Sequence, residues 1–195
     1  MALITEMSGV VLAGGESARM GRDKAWLDYG GRPLIEHQLG TLSRVFDDVR
    51  VSAKEAARFS ALAFPVIKDS AGVSAPIAGI AECLRFLRRP IFVLAVDLPK
   101  FPEALVREIS RRLLDGEAAC VALRAGGRVQ GLAAAYRPSA LPVLERNVAA
   151  GRLAVHDLVA ECGGVVEGED VWSRIAGPEA FSNWNRPEDV SRPGG

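Results

Sequence analysis

Ile91-Phe92-Val93-Leu94-Ala95-Val96-Asp97-Leu98-Pro99 contains the purest apolar run of the chain. The run from Ile91 to Val96 is apolar throughout, with no polar residue on alternate positions. A strand of that kind is covered on both faces, as in a parallel sheet with helices on either side. The run ends on a carboxylate, Asp97, at the carboxyl end of the strand, where α/β sheets present their working side chains.

Outward from this strand the same alternation repeats. Pro102 opens a helix with Leu105, Val106, Ile109 and Leu113 on one stripe. Upstream, Pro76 opens another with Ile77, Ile80, Ala81, Leu84 and Leu87. Pro33 opens a third, with Leu34, Ile35, Leu39, Leu42, Val45 and Phe46 on its buried face. Short apolar runs at Val10 to Ala13, at Val49 and Val51, and at Phe64 to Ile67 supply further strands. Ala119 to Leu123 and Val129 to Tyr136 flank a turn at Ala125-Gly126-Gly127 and read as a hairpin elaborating the same sheet. Helical patterns follow at Ser139 to Ala149 and Leu153 to Glu161. The expected architecture is α/β, a Rossmann-like three-layer sandwich with a mainly parallel, mixed central sheet. We expect one domain over residues 1–195, with the tail beyond about residue 192 frayed.

Composition narrows the function classes. Of 195 residues 49% are hydrophobic, ample for a core, and 24 Lys plus Arg balance 24 Asp plus Glu. Zero net charge argues against a partner bound mainly by electrostatics, so no nucleic acid is expected. No apolar stretch reaches membrane-spanning length, so no membrane partner is expected either. Cys83, Cys120 and Cys162 are scattered, with no CxxC pair, which reads as reduced cysteines in a cytoplasmic protein. His37 and His156 belong to no metal-ligand pair and read as packed or solvated. Trp26, Trp172 and Trp184 read as packing or pocket-edge residues.

The chemistry concentrates in Leu12-Ala13-Gly14-Gly15-Glu16-Ser17-Ala18-Arg19-Met20-Gly21-Arg22-Asp23-Lys24, which leaves the first strand. Gly14 and Gly15 allow a sharp turn and close approach of backbone amides to phosphate oxygens. Arg19 offers a planar fork and Lys24 a mobile point charge for the same oxygens. Neither the Walker A order nor GxGxxG spacing is present. Asp97 suits Mg2+, which commonly binds through one or two carboxylates plus substrate phosphates; an aspartate before Pro99 also suits a turn. Asp69 likewise ends an apolar strand. Gly79, near the start of the following helix, permits close approach either of a ligand or of the sheet.

Together these segments resemble the molybdenum cofactor guanylyltransferases, the MobA-like branch of the nucleotidyltransferases. The resemblance rests on LAGGESARMGRDK at Leu12 to Lys24, Lys68-Asp69, APIAGI at Ala75 to Ile80, AVDLP at Ala95 to Pro99, the Gln130 to Tyr136 segment and NWNRPED at Asn183 to Asp189. It implies that GMP passes from GTP to the phosphate of molybdopterin, releasing pyrophosphate, with Mg2+ as cofactor. By position, Leu12, Ala13, Gly14, Gly15, Lys24, Ser52, Asp69 and Asp97 would bind GTP. Arg19, Lys24 and Asp97 would be catalytic, Asp97 would hold the metal, and Gln130, Asn183 and Asn185 would face the acceptor. For such an enzyme, transient contacts with proteins of cofactor delivery or molybdoenzyme maturation are expected.

The chain departs from the family pattern at Ala75, often Gly, at Ser52, often Asn, at Gly131, usually Pro after Gln, and at Arg186-Pro187-Glu188, usually Thr-Pro-Glu. These positions bear on base and acceptor choice more than on the chemistry. Two other readings compete. One is a cytidylyltransferase or sugar-phosphate nucleotidyltransferase, although Gly15 follows Gly14 where the cytidylyl branch usually reads Leu-Ala-Ala-Gly. The other is a non-catalytic nucleotide-binding module, which would have no need of both Lys24 and Asp97.

Overall fold

The computed structural model describes residues 2–13, 24–69 and 72–184. The strands are β1 (Ile4–Leu12), β2 (Phe46–Ala53), β3 (Val66–Lys68), β4 (Ile91–Ala95), β5 (Cys120–Ala125), β6 (Arg128–Val129), β7 (Ala133–Tyr136) and β8 (Val165–Glu167). The helices are α1 (Leu34–Ser43), α2 (Pro76–Leu87), α3 (Glu103–Asp115), α4 (Leu141–Ala149), α5 (Val155–Glu161) and the single turn α6 (Glu169–Trp172).

β3, β2, β1 and β4 lie side by side and parallel. β7 then runs antiparallel between β4 and β5, so that β5 again points along β4. Val121 pairs Ala135 on one side and Val165 on the other, which adds β8, parallel, at the far edge. The sheet is therefore mixed, with parallel strands at its centre, as expected from the unbroken apolar strand at Ile91.

Side chains alternate between the faces because the strand period is two residues. Val11, Val51, Phe92 and Leu94 face α1 and α3, in one core that includes Leu39, Leu42, Val106 and Ile109. Val10, Leu12, Ile91 and Val93 face α2, α4 and α5, in a second core with Ile77, Ile80, Leu144 and Leu158. This double coverage is why β4 needs no polar face; all its residues are buried.

Several expectations are corrected in detail. The helix opened by Pro33 stops at Ser43, and Phe46 begins β2 instead of extending the helical stripe. The hairpin is not a simple ribbon. Its return arm breaks at Gln130-Gly131-Leu132, where β6 ends and β7 begins, and β7 becomes an internal strand of the main sheet. β8, α6 and the short 3-10 turns at Lys24–Trp26 and Ala56–Phe59 had no clear sequence signal, being too short for a period to show. No helix among the described residues is long and apolar enough to cross a membrane.

Candidate active site

The carboxyl ends of the parallel strands form one edge. Leu12 pairs Ser52 on β2 and Ala95 on β4, and Ser52 pairs Ile67 on β3. One residue further on, the backbone stays knitted: Ala13 N–H donates to Ser52 O (2.9 Å), Val96 N–H to Leu12 O (3.2 Å) and Asp69 N–H to Ala53 O (3.0 Å). Asp69 and Asp97 therefore stand on opposite sides of Ala13, from which the glycine loop departs. Gly14, Gly15 and Arg19 on that loop, and Asn185 near the C-terminus, lie outside the described residues.

On the β3 side, Ser52 Oγ donates to Asp69 Oδ1 at 2.6 Å. Ser52 is only 1% exposed, so it reaches the site through Asp69. Burial raises the Asp69 pKa above the ordinary carboxylate value; the Ser52 hydrogen bond opposes this and the nearby Glu82 adds to it. The structure also decides the role of Gly79. A Cβ there would stand 2.9 Å from Ser52 Oγ and 3.3 Å from Asp69 Oδ1. Its lack of a side chain lets α2 close against this polar pair, the packing alternative of the two left open by the sequence. A cavity opens beside Asp69, lined by Ala13, Ala53, Arg58, Phe59 and Ser74 among others.

On the β4 side, Lys24 Nζ lies 3.9 Å from Asp97 Oδ2, with both side chains about a quarter exposed at 27% and 25%. Burial raises the Asp97 pKa, and Lys24 pulls it back down in part. The 3-10 turn that carries Lys24 also lays Trp26 on Phe59, with stacked rings 5.8 Å apart, which ties this turn to the other cavity's wall. A second cavity adjoins Asp97 and is lined by Gln130, Gly131, Val155, His156 and Asn183. It shares Val129, Gln130 and Asn183 with an open trough that runs to Arg128 and Trp172. Asn183 stands there because its neighbour Trp184 is anchored: Trp184 N–H donates to Asp97 O at 2.8 Å, and its ring meets Tyr29 edge-on. Gln130 uses its amide nitrogen to hold the hairpin, through the carbonyls of Ala125 and Arg128.

His156 is solvated, one of the two readings the sequence offered for it: its side chain is 64% exposed and its Nε2 lies 3.5 Å from Asp157 Oδ1, at the rim of the second cavity. Gly131 explains its placement. A Cβ at Gly131 would fall 2.5 Å from Val155 Cγ1, so the glycine allows the start of α5 to close over the break between β6 and β7. His37 is instead structural. Arg32 donates to its Nδ1 and its Nε2 donates to Pro99 O, both at 2.9 Å, which fixes a neutral tautomer. Burial lowers its pKa accordingly, with Arg32 and Arg44 adding to the effect.

Among the described residues no group of three or more His, Cys, Asp or Glu is gathered for a metal. Asp97, a partly buried carboxylate at the sheet edge, fits an ion that arrives with phosphate ligands of its own.

Residues 9–163 match the family model of the MobA-like NTP transferase domain. The chain belongs to that family. A molybdenum cofactor guanylyltransferase of Cereibacter sphaeroides is 34% identical over 190 residues, covering 94% of this chain and 93% of that protein. The crystal structure of molybdopterin-guanine dinucleotide biosynthesis protein A from Archaeoglobus fulgidus superimposes with a TM-score of 0.82 at 22% identity, covering 94% of this chain and 95% of that one. A 2-C-methyl-D-erythritol 4-phosphate cytidylyltransferase from Thermus thermophilus shares the fold more distantly, with a TM-score of 0.65 at 18% identity over 93% and 94% of the two chains. In this MobA-like NTP transferase the match runs from β1 to just short of β8, so Lys24, Ser52, Asp69, Asp97, Gln130 and His156 all fall within it.

Proposed function

We propose that the protein transfers GMP from GTP to the terminal phosphate of molybdopterin, releasing pyrophosphate and forming molybdopterin guanine dinucleotide. The observation that carries this reading is the division of the sheet edge. One cavity lies beside Asp69 and another beside Asp97, with the departure point of the glycine loop between them. A two-substrate transfer needs a nucleotide on one side, an acceptor on the other, and the reacting phosphorus at the seam.

On this reading Leu12, Ala13, Gly14 and Gly15 would bind the nucleotide, and Asp69, oriented by Ser52, would contact the nucleoside. Lys24, with Arg19 from the loop, holds the phosphates. Gln130, Asn183 and Asn185 face the acceptor, and His156 joins them at the wall of that cavity. An acceptor phosphate oxygen attacks the α-phosphorus of GTP; the bond to the bridging oxygen of the β-phosphate breaks, and pyrophosphate leaves with its charge. No protein nucleophile is required. Lys24 offsets charge on the phosphates by a fixed positive group, and Asp97 is the residue to hold Mg2+. The ion, when bound, would neutralise phosphate oxygens and ease departure of pyrophosphate. The chain would work in the cytoplasm as one domain, with GTP and molybdopterin as its partners.

The family also supports the coarser alternative of another base or acceptor. Binding of GTP, CTP, ATP and UTP with magnesium, measured by calorimetry, separates these. Selective GTP binding upholds guanylyl transfer, and tighter CTP binding sinks it.

A further inference from the structure

Asp97 is the third residue of a tight turn, Ala95-Val96-Asp97-Leu98, and the turn is loosely closed. Leu98 N–H donates to Ala95 O at a long 3.3 Å. Behind it, on α1, sits Gln38, with 0% of its surface exposed. Its Nε2 donates to Leu98 O at 2.7 Å and to Ala95 O at 3.3 Å, so one amide group spans both ends of the turn. Two carbonyl acceptors demand the amide nitrogen at that position, which fixes the orientation of the side chain. The price is an orphan: among the described residues Gln38 Oε1 is buried without a hydrogen-bond partner. A leucine or methionine would fill this helix position without that cost, as Leu39 and Leu42 do nearby. The adjacent His37 holds the next carbonyl, Pro99 O.

We infer that Gln38 is a positioning residue for the reaction: it staples the turn so that the Asp97 carboxylate is held at the wall of the cavity it shares with Gln130 and Asn183. The inference rests on the role proposed above for Asp97. Ala95 O and Leu98 O each keep a backbone donor without Gln38, from Leu98 N–H and Phe101 N–H, so loss of the staple loosens the turn and leaves the fold intact. Outer partners of a metal-binding carboxylate typically change metal affinity or activity by about 10–100-fold when removed.

The test uses the full chain with Mn2+ as a spectroscopic substitute for Mg2+ and GTP present. Bound Mn2+ is counted by electron paramagnetic resonance, alongside kcat, the KM for GTP and thermal unfolding without metal. Gln38→Leu is expected to bind Mn2+ about 10-fold more weakly and to lose about 10–100-fold in kcat. Its KM for GTP should stay within about threefold of native and its melting temperature should not fall. Native Mn2+ affinity and kcat in Gln38→Leu would overturn the inference.

Should that variant fail to fold, Gln38→Glu keeps the size of the side chain. An ionised carboxylate repels both carbonyls, whereas the protonated acid can still donate one bond. Its Mn2+ affinity relative to native should fall as pH rises, and a constant ratio across pH would overturn the inference. Asp97→Asn run in parallel separates the two layers. If it retains native Mn2+ binding, the metal role of Asp97 fails and the staple's purpose fails with it; if it loses binding while Gln38 variants do not, only the staple is refuted.

Discussion

At Asp97 stability and the role proposed for its carboxylate pull in opposite directions. Burial raises its pKa above the ordinary value of 3.8, which means the folded protein resists the charged form. The sign follows from linkage: a carboxyl whose pKa is raised on folding binds its proton more tightly in the native state. Its charge therefore weakens the fold at neutral pH, and the penalty is relieved as pH falls through the raised value. Asp97→Asn should accordingly melt at a higher temperature than native at pH 7, the gap closing in acid. The same variant should lose turnover by about 100-fold or more while keeping much of its GTP affinity. Thermal melts across pH with paired kinetics check both; a less stable, still active variant contradicts them.

Gly79 offers a second residue-level prediction with competing terms. In a helix interior Gly→Ala gains about 1 kcal/mol of propensity. Forcing a Cβ to 2.9 Å from Ser52 Oγ costs about 1–3 kcal/mol, and the short serine side chain has little room to retreat. Gly79→Ala should therefore be destabilised by no more than about 2 kcal/mol. Because the strain falls on the Ser52–Asp69 hydrogen bond, the KM for GTP should rise several-fold while kcat changes less. Denaturant unfolding and initial-rate kinetics separate the two effects.

The elements show where sequence reasoning succeeds and where it stops. Pro33, Pro76 and Pro102 mark helix starts because a proline costs nothing where no backbone donor is needed, and α1, α2 and α3 begin beside them. β4 was legible because burial on both faces leaves no alternation to misread. The β5–β7 region was only half legible. Its turn at Gly126-Gly127 is local chemistry, but the insertion of β7 between β4 and β5 is a long-range pairing with no local trace. Likewise Asp69 and Asp97 stand out in sequence as charges at strand ends, and Lys24 as a charge closing the glycine-containing segment, whereas Gln38 and His156 find their neighbours only when α1 and α5 are docked. Gly131 makes the second docking possible. Gly131→Ala must push Val155 away and shift α5, so the KM for the acceptor should rise more than the KM for GTP. Equal changes in both would argue that the Gln130–His156 cavity is not the acceptor side.

For the whole molecule, the sheet edge is only as well ordered as the two cores that clamp the sheet. Phe92 is fully buried on β4 and lies 6.2 Å from Phe46 and 6.3 Å from Phe101, ring to ring. Phe92→Ala should cost about 3–5 kcal/mol in denaturant unfolding, enough to consume much of a domain's stability. Guanylyl transfer itself is tested by competition between nucleotides. Purified protein, molybdopterin, magnesium and equal GTP and CTP are incubated, and the dinucleotide products are weighed by mass spectrometry. The guanine dinucleotide is expected in large excess, with equimolar pyrophosphate. A predominantly cytosine product, or no product from either nucleotide, would contradict it.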